Sequence, residues 1–494
     1  MKRARRTAIR RPTCGTIAGA CLSLAVPTWL GCSSEAPSEP AKVETPVLAA
    51  IDARRSLAVT DQPILARFAL RRVLDQLVAQ SNVGGLTSLR LFQQWWDVMN
   101  PRPGIGPGPH CDDQTDASGP VLNGFPFVCR PAPSEGSQAS CDPFAAGSPC
   151  AYTPIGLFNR FDMMPENGAY CGEYRVVYAK SGGITNPDDR NLLIFEAALP
   201  NPLPLLGIEG CRPVIALWAN LSDVDDVQTR AARLEQLYFQ GLLIAVPPFP
   251  PVIHVSHFGP GAAGRGQIRT NQFVNPTPRV WSLREFKLQR SCGLLSCSAL
   301  RFVPVTSKGN PYGPLFAPGA THPKAAGFQA FLPGQVGTLS GPTIPEIGIA
   351  IPDTYNSGQS EASGTTEGNL PVQFGAGPSA LRTALTSSLA SAGSSLTADQ
   401  LVARVQAQTC AGCHRISNNA DLGGGITWPP SLGFTHIDER TTELIDGSTS
   451  YVLSPALNDV FLPHRQDLLE RYLSRSLVLR LLTPLQPIGG LLVH

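Results

Sequence analysis

Charged residues are scarce in this chain, since Asp, Glu, Lys and Arg make up 15% of the 494 residues and the formal net charge is only +2. Six of the 39 lysines and arginines stand within the first 12 positions, so the remainder is close to neutral or slightly acidic. A protein that binds nucleic acid needs a basic face. The sequence therefore predicts no nucleic-acid partner.

Long apolar segments are also missing beyond the N-terminus. The most apolar later stretch, residues 241–253, contains four prolines, and proline breaks the continuous helix that a membrane span requires. We therefore expect a lipid anchor to be the only attachment to a membrane.

The N-terminus has the pattern of an export signal. Basic residues precede a short apolar stretch, residues 15–31, which ends in small side chains. Leu30-Gly31-Cys32 resembles a bacterial lipobox, in which the cysteine is acylated. These features predict a signal peptide over residues 1–31, lipidation at Cys32 and a flexible tether over residues 32–50. The expected location is the periplasm or the outer-membrane or cell surface of a bacterium; cleavage near Gly31 to release a soluble protein is the alternative.

Glycine and proline number 47 each, which favours short elements joined by loops. Helices are predicted at residues 60–80, 86–98 and 226–242. Strands rich in Val, Ile, Phe and Tyr are predicted at residues 154–161, 173–180, 191–199, 212–221, 250–258, 279–288 and 299–305. Their close spacing favours a largely antiparallel sheet.

Helical character returns after residue 376, where a capping box at Thr397 and Gln400 opens a helix that runs to Cys410. The expected fold class is α+β and multidomain. A β-rich, disulfide-stapled domain with flanking helices would span residues 51–375, and an all-α domain would span residues 376–494.

Residues 410–414 read Cys-Ala-Gly-Cys-His, which is the C-x-x-C-H signature of c-type haem attachment. Two thiols three residues apart bind the two vinyl groups of one haem, and the adjacent histidine reaches the iron. We therefore predict one covalent haem c on Cys410 and Cys413, with His414 as the proximal iron ligand. A redox or zinc C-x-x-C is the rival interpretation, but it lacks a βαβ setting and a second pair of ligands.

Thirteen cysteines are present. Two lie in the leader, Cys32 is the predicted lipid site and two belong to the haem motif. The remaining eight are Cys111, Cys129, Cys141, Cys150, Cys171, Cys211, Cys292 and Cys297. An even number in an exported chain predicts four disulfides, of which the short-range pairs Cys141–Cys150 and Cys292–Cys297 are favoured. A zinc site is disfavoured by the irregular spacing.

Residues 395–480 resemble a class I-type cytochrome c domain. The helix 397–409 with its haem motif is similar to the family's first helix, Trp-Pro-Pro-Ser-Leu-Gly at residues 428–433 to its proline-containing loop, and residues 462–477 to its last helix. The resemblance implies an all-α haem domain, a proline carbonyl that supports His414 and a last helix that packs on the first.

The usual second iron ligand of that family is a methionine, and none of the four methionines follows the motif. His464 and His436 are the candidate distal ligands, and an open sixth position is the third possibility. Ligation by two histidines lowers the reduction potential relative to Met/His ligation. An open position would permit peroxide or oxygen chemistry.

The N-terminal region is less informative. Residues 158–180, 191–202, 266–273 and 281–288 resemble an uncharacterised family of secreted bacterial proteins, which implies no activity. Asp162, Glu166, Glu173 and Arg175 are candidates for a polar site. His254 and His257 are a close pair, but on the predicted strand they would point to opposite faces.

These observations predict an exported monohaem c-type cytochrome that transfers electrons, whose N-terminal domain docks a redox partner protein or a small-molecule substrate. One alternative is a peroxidase- or oxygenase-like haem enzyme with an open sixth position. Another is a surface binding lipoprotein with a structural or sensory haem. An electron carrier is favoured over an enzyme, because dihaem peroxidases carry two C-x-x-C-H motifs and this chain has one.

Overall fold

The computed structural model describes residues 50–104, 108–130, 141–165, 167–259, 265–274, 280–294, 296–363 and 367–474. The predicted signal peptide, Cys32 and nearly all of the predicted tether lie outside these ranges, as does Glu166. The described residues belong to one unit, Leu48–His494. Within them, no helix has both the length and the apolar character that crossing a membrane requires.

The helices are mostly short, as the glycine and proline content predicts. They are α1 (Ala53–Ser56), α2 (Gln62–Leu65), α3 (Leu70–Ser81), α4 (Ser88–Asp97), α5 (Gly182–Thr185), α6 (Arg212–Ala219), α7 (Val227–Phe239), α8 (Ala325–Phe331), α9 (Val336–Leu339), α10 (Leu370–Phe374), α11 (Ala380–Ser391), α12 (Ala398–Gln408) and α13 (Leu462–Ser474).

The strands are concentrated in the first two thirds of the chain. They are β1 (Ala58–Val59), β2 (Thr115–Asp116), β3 (Gly119–Leu122), β4 (Phe125–Pro126), β5 (Tyr152–Arg160), β6 (Tyr170–Lys180), β7 (Asn191–Pro200), β8 (Gln267–Val274), β9 (Val280–Cys292), β10 (Cys297–Val305), β11 (Ser360–Glu361), β12 (Ile437–Ile445) and β13 (Ser448–Leu453).

Eight strands form one antiparallel sheet in the order β1-β5-β6-β7-β8-β9-β10, with β11 pairing to β9. The predicted largely antiparallel sheet is therefore confirmed. Both faces of its central strands are buried. One face packs on α3 and α4, where Trp95 is fully buried against Phe286 and Phe302. The other face meets the segment that carries the C-x-x-C-H motif.

All eight cysteines predicted to form disulfides are paired. The pairs are Cys111–Cys129, Cys141–Cys150, Cys171–Cys211 and Cys292–Cys297. The two short-range pairings favoured by the sequence are confirmed.

Two predicted strands are wrong. Residues 212–221 contain the helix α6, because Pro213 occupies its first turn and Val214, Ile215 and Trp218 form one buried helical stripe. Residues 250–258 contain a 3-10 helix, Val255–His257. In that helix residues three apart lie above one another, so the rings of His254 and His257 lie 5.2 Å apart instead of on opposite faces.

The predicted helix at residues 60–80 is divided into α2 and α3, whereas the helix predicted at 226–242 is present as α7. The capping box is confirmed, since the Thr397 side chain accepts from the Gln400 backbone and the Gln400 side chain accepts from the Thr397 backbone.

The described part of residues 376–494 is mixed rather than all-helical. The hairpin β12–β13 lies between the C-x-x-C-H motif and α13. This hairpin pairs locally, Ile445 with Ser448, around a turn that contains Asp446 and Gly447. The buried side chain of Arg190, immediately before β7, makes two hydrogen bonds to the carboxylate of Glu439 at 2.7 and 2.8 Å. The sheet and the C-terminal segment are therefore joined by a buried ion pair.

Candidate functional site

The motif begins where α12 ends. Thr409 caps the helix, and residues Gly412–Ile416 continue as one π-helical turn that carries Cys413 and His414. A Cβ at position 412 would lie 1.7 Å from the Gln406 carbonyl oxygen. Only glycine permits this close approach, which is the structural reason for the small residue between the two cysteines.

Cys410 and Cys413 are fully buried and form no disulfide, whereas the other eight described cysteines are paired. Cys410 and Ala411 pack against Trp281 and Leu283 of β9. Burial raises the pKa of the Cys410 thiol to about 12 and also raises the pKa of Cys413. Both side chains are therefore neutral thiols at pH 7.

The His414 ring is held from two sides. Its Nδ1 lies 2.9 Å from the Phe434 carbonyl oxygen, and the Trp281 ring centroid lies 5.2 Å from its own. A carbonyl only accepts, so Nδ1 carries the proton and Nε2 has the lone pair. Burial lowers the pKa of His414 to about 4, and the ring is neutral, which is the form that binds metals.

The loop after the motif supports His414, but not through a proline. The resemblance to cytochrome c implied a proline carbonyl as the partner of this ring, whereas the carbonyl belongs to Phe434, which has a positive φ of 76°. Ser431, in the predicted proline-containing loop, donates its hydroxyl to the His414 carbonyl. Pro430 accepts from the backbone of Ala456 instead.

The two predicted distal ligands are placed differently. His436 lies in the same cavity as His414: the ring centroids are 4.7 Å apart, and His436 Nε2 is 3.2 Å from Cys413 Sγ. Its Nδ1 contacts the Ser454 hydroxyl at 2.9 Å. His464 lies in the first turn of α13, is half-buried and does not line this cavity. Its Nε2 is buried and has no hydrogen-bond partner among the described residues.

The large sheet supplies one wall of this cavity. Side chains that point to the same face of β5–β9 line it together with the two histidines, Leu457 and Arg465; the polar ones are Arg160, Arg175, Glu196, Arg269 and Asn271. Charged residues thus alternate with apolar ones on a sheet face that is buried. The alternation of charged and apolar residues is visible in the sequence of this region. Among the described residues of this region, the sequence predicted only Asp162, Glu173 and Arg175 as members of a polar site.

The charged side chains on this wall form a connected network. Arg175 contacts Glu173 at 2.9 Å and Glu196 at 3.3 Å, and Arg269 contacts Glu196 at 3.4 Å and Glu285 at 2.8 Å. Burial raises the pKa of a carboxyl group, but the surrounding arginines and Lys308 outweigh it and lower the pKa of Glu173. Three of the four residues predicted as a polar site belong to this network or to its continuation around Asp162.

Asp162 lies between two arginines. Arg160 contacts it at 2.9 Å from β5, and Arg465 contacts it at 3.4 Å from α13. Burial alone would raise the pKa of Asp162, but the two guanidinium groups lower it to about 2. Burial and the neighbouring Arg160 lower the pKa of Arg465 to about 9. Arg465 could not be predicted from the sequence, because its partner Asp162 lies in a distant 3-10 turn after β5.

Among the described residues, no group of three or more His, Cys, Asp and Glu side chains is arranged to hold a metal ion.

Comparison with known proteins found no matching family model, no matching curated protein and no matching solved structure.

Proposed function

We propose that this chain is an exported monohaem c-type cytochrome that transfers electrons. The observation that carries the proposal is the state of Cys410 and Cys413, which are buried and unpaired in a chain whose other described cysteines are all in disulfides. Two free thiols three residues apart, followed directly by a neutral histidine, have the donor chemistry that a covalent haem requires.

The side chains around the motif also fit a haem. Cys410 and Cys413 would hold the group through two thioether bonds, and His414 would bind the iron through Nε2, because its Nδ1 is engaged by Phe434. Such a contact to a carbonyl fixes the tautomer and orientation of a metal-binding histidine. Trp281 and Leu283 exclude water from this side of the motif. When bound, the haem supplies a one-electron couple whose potential depends on burial and on neighbouring charges.

The cytochrome c-like character of residues 376–494 belongs to the same proposal. Helix α12 leads into the motif and α13 follows it, as the resemblance implies, with the hairpin β12–β13 between them. Helix α13 contacts the N-terminal region: Tyr472 donates to the Ile208 carbonyl, and Glu470 accepts from the backbone of Ile51. In this proposal the C-terminal segment and the large sheet would together enclose the haem.

A haem enzyme with an open sixth position is the second candidate. The arginines on the cavity wall favour it, since hydrogen-bond donors and polarity in the distal pocket decide whether a haem activates oxygen or transfers electrons. Cyanide and imidazole distinguish the two functions: both ligands change the spectrum of a haem with an open position at low concentration, and a six-coordinate electron carrier resists them.

The decisive experiment is a pyridine haemochrome spectrum of the full chain exported with a haem-c maturation system. We expect a c-type α-band that is absent from the Cys410→Ala, Cys413→Ala double variant. The matched control is Cys292→Ala, Cys297→Ala, which also removes two cysteines but leaves the motif intact and should keep the band. A wild-type protein without bound haem under these conditions would refute the proposal.

Export and lipidation at Cys32 complete the proposal. The four disulfide pairs support export, because disulfides persist in oxidising compartments such as the periplasm. A Cys32→Ala variant should move from the membrane fraction to the soluble periplasmic fraction with its haem still attached. A variant that stays with the membranes would contradict a lipid anchor at this residue.

A further inference from the structure

The cluster formed by Arg160, Asp162 and Arg465 has an excess of positive charge. Two guanidinium groups share one carboxylate, and the three side chains are only 1%, 5% and 2% exposed. A buried charge is costly unless it is paired. The cluster would become neutral if one more anionic group joined it.

The cluster also has an unused hydrogen-bond donor. Arg160 bonds Asp162 through Nε and Nη2, whereas its Nη1 is buried and has no hydrogen-bond partner among the described residues. A guanidinium group binds carboxylates with its planar fork of donors. Arg160 therefore has both the charge and the free donor that a second carboxylate needs.

This cluster faces the haem motif. Arg160 and Arg465 line the same cavity as His414 and His436. By contrast, Arg175 and Arg269 on the same wall are paired with carboxylates on neighbouring strands, Arg175 with Glu196 and Arg269 with Glu285.

We propose that Arg160 and Arg465 form a carboxylate-binding site, and that its occupant is a propionate group of the haem held by Cys410 and Cys413. The inference rests on the proposed function, which brings a haem into this cavity. The propionate would neutralise the excess charge, and it would tie the haem to β5 of the sheet as well as to α13.

The test uses the haem-loaded full chain and the variants Arg160→Gln and Arg465→Gln, with Arg465→Lys as the conservative variant. Because the haem is attached through Cys410 and Cys413, both Gln variants should keep covalent haem in the haemochrome assay. Removal of a positive charge beside the haem should favour the oxidised iron. We expect the ratio of reduced to oxidised haem at a fixed potential to fall about tenfold, which is about 59 mV for a one-electron couple. Arg465→Lys keeps the positive charge, so its ratio of reduced to oxidised haem should stay close to that of the wild type.

Arg230→Gln is the matched control, since Arg230 is equally buried and pairs with Asp61 at 3.1 Å, but it does not line the cavity. A Gln variant with bound haem and the same potential as this control would overturn the inference while leaving the proposed function intact. Absence of haem from the wild-type chain would overturn the proposed function itself.

The second measurement separates the haem's own carboxylate from a free anion. Formate and acetate are titrated into the haem-loaded wild type and into Arg160→Gln. We expect no saturable change in the Soret band, because the propionate already occupies the site. A saturable change that Arg160→Gln abolishes would show that the site takes a free carboxylate and would overturn the propionate assignment.

Discussion

His436 and His464 illustrate how much a single residue's surroundings decide. Both were candidate distal ligands, but only His436 lies in the cavity, 4.7 Å from the His414 ring, whereas His464 stands outside it beside Asp162 and Arg465. A sequence spacing that suits a distal ligand therefore does not bring the side chain to the site.

We expect His436→Ala to change the absorption spectrum of the proposed haem, because the His436 imidazole contacts Cys413 and lies next to His414. His464→Ala serves as the matched control and should leave the spectrum unchanged. A high-spin spectrum in His436→Ala would identify His436 as an iron ligand. A shifted spectrum without a change of spin state would identify His436 as a residue that lies near the haem without binding the iron. A spectrum altered only in His464→Ala would contradict the structure.

Glu367 provides a test of pH dependence away from the motif. Burial, with a further contribution from the nearby Glu361, raises the pKa of Glu367 from 4.5 to about 8. A carboxyl group with a raised pKa in the folded state stabilises the fold below its unfolded pKa, and this contribution is lost as the pH rises through the folded pKa. The wild type should therefore lose stability between pH 4.5 and pH 8.

Glu367→Gln should remove this loss, because the amide stays neutral. Urea unfolding at pH 5 and pH 9 measures the effect: the variant should gain stability relative to the wild type at pH 9 and differ little at pH 5. The exposed Asp459→Asn is the control for removal of a carboxylate. An equal difference between Glu367→Gln and the wild type at both pH values would refute the prediction.

At the scale of elements, the disulfides hold segments of very different separation. Cys171–Cys211 joins the start of β6 to the segment that precedes α6 across 40 residues, whereas Cys292–Cys297 closes the β9–β10 hairpin across 5 residues. A cross-link across a longer loop removes more entropy from the unfolded chain.

We therefore expect the double alanine variant of Cys171 and Cys211 to lose about 4 kcal/mol of unfolding free energy, and that of Cys292 and Cys297 about 2 kcal/mol. Chemical denaturation of the two variants beside the wild type provides the measurement. The hairpin variant acts as the internal control, since it also removes one disulfide. Equal losses would show that packing at these sites outweighs chain entropy.

At the scale of the whole molecule, the cavity beside the motif is built from both halves of the chain. Arg175, Ile194 and Arg269 come from the sheet, whereas His414 and His436 come from the C-terminal segment. The ion pair of Arg190 and Glu439 joins residues that are 249 positions apart. The motif therefore depends on the sheet for its surroundings.

It follows that residues 376–494 expressed alone with a haem-c maturation system should carry less haem than the full chain and should be more sensitive to protease. Without the sheet, Cys410 and Ala411 lose their packing against Trp281 and Leu283 and become exposed. Haem content per protein and limited proteolysis measure the difference. A fragment with a full haem content and the spectrum of the full chain would show that the C-terminal segment is an independent domain.

The sequence by itself determined the local features. These features depend on residues that are only a few positions apart, so the sequence pattern alone predicts them. They are the capping box at Thr397, the antiparallel strands, the short-range disulfides and the spacing of Cys410, Cys413 and His414. The strand predictions for residues 212–221 and 250–258 were wrong. Val and Ile favour strands by intrinsic preference, and in these segments packing against the core outweighs that preference.

Only the tertiary structure decided what surrounds the motif. The contact of Arg465 with Asp162, the carbonyl that supports His414 and the choice of His436 over His464 as its neighbour depend on how the sheet packs against α13 and the loop after the motif. Packing between distant segments is set by the shapes and charges of whole faces. No periodicity within one segment encodes it, so the motif could be predicted and its cavity could not.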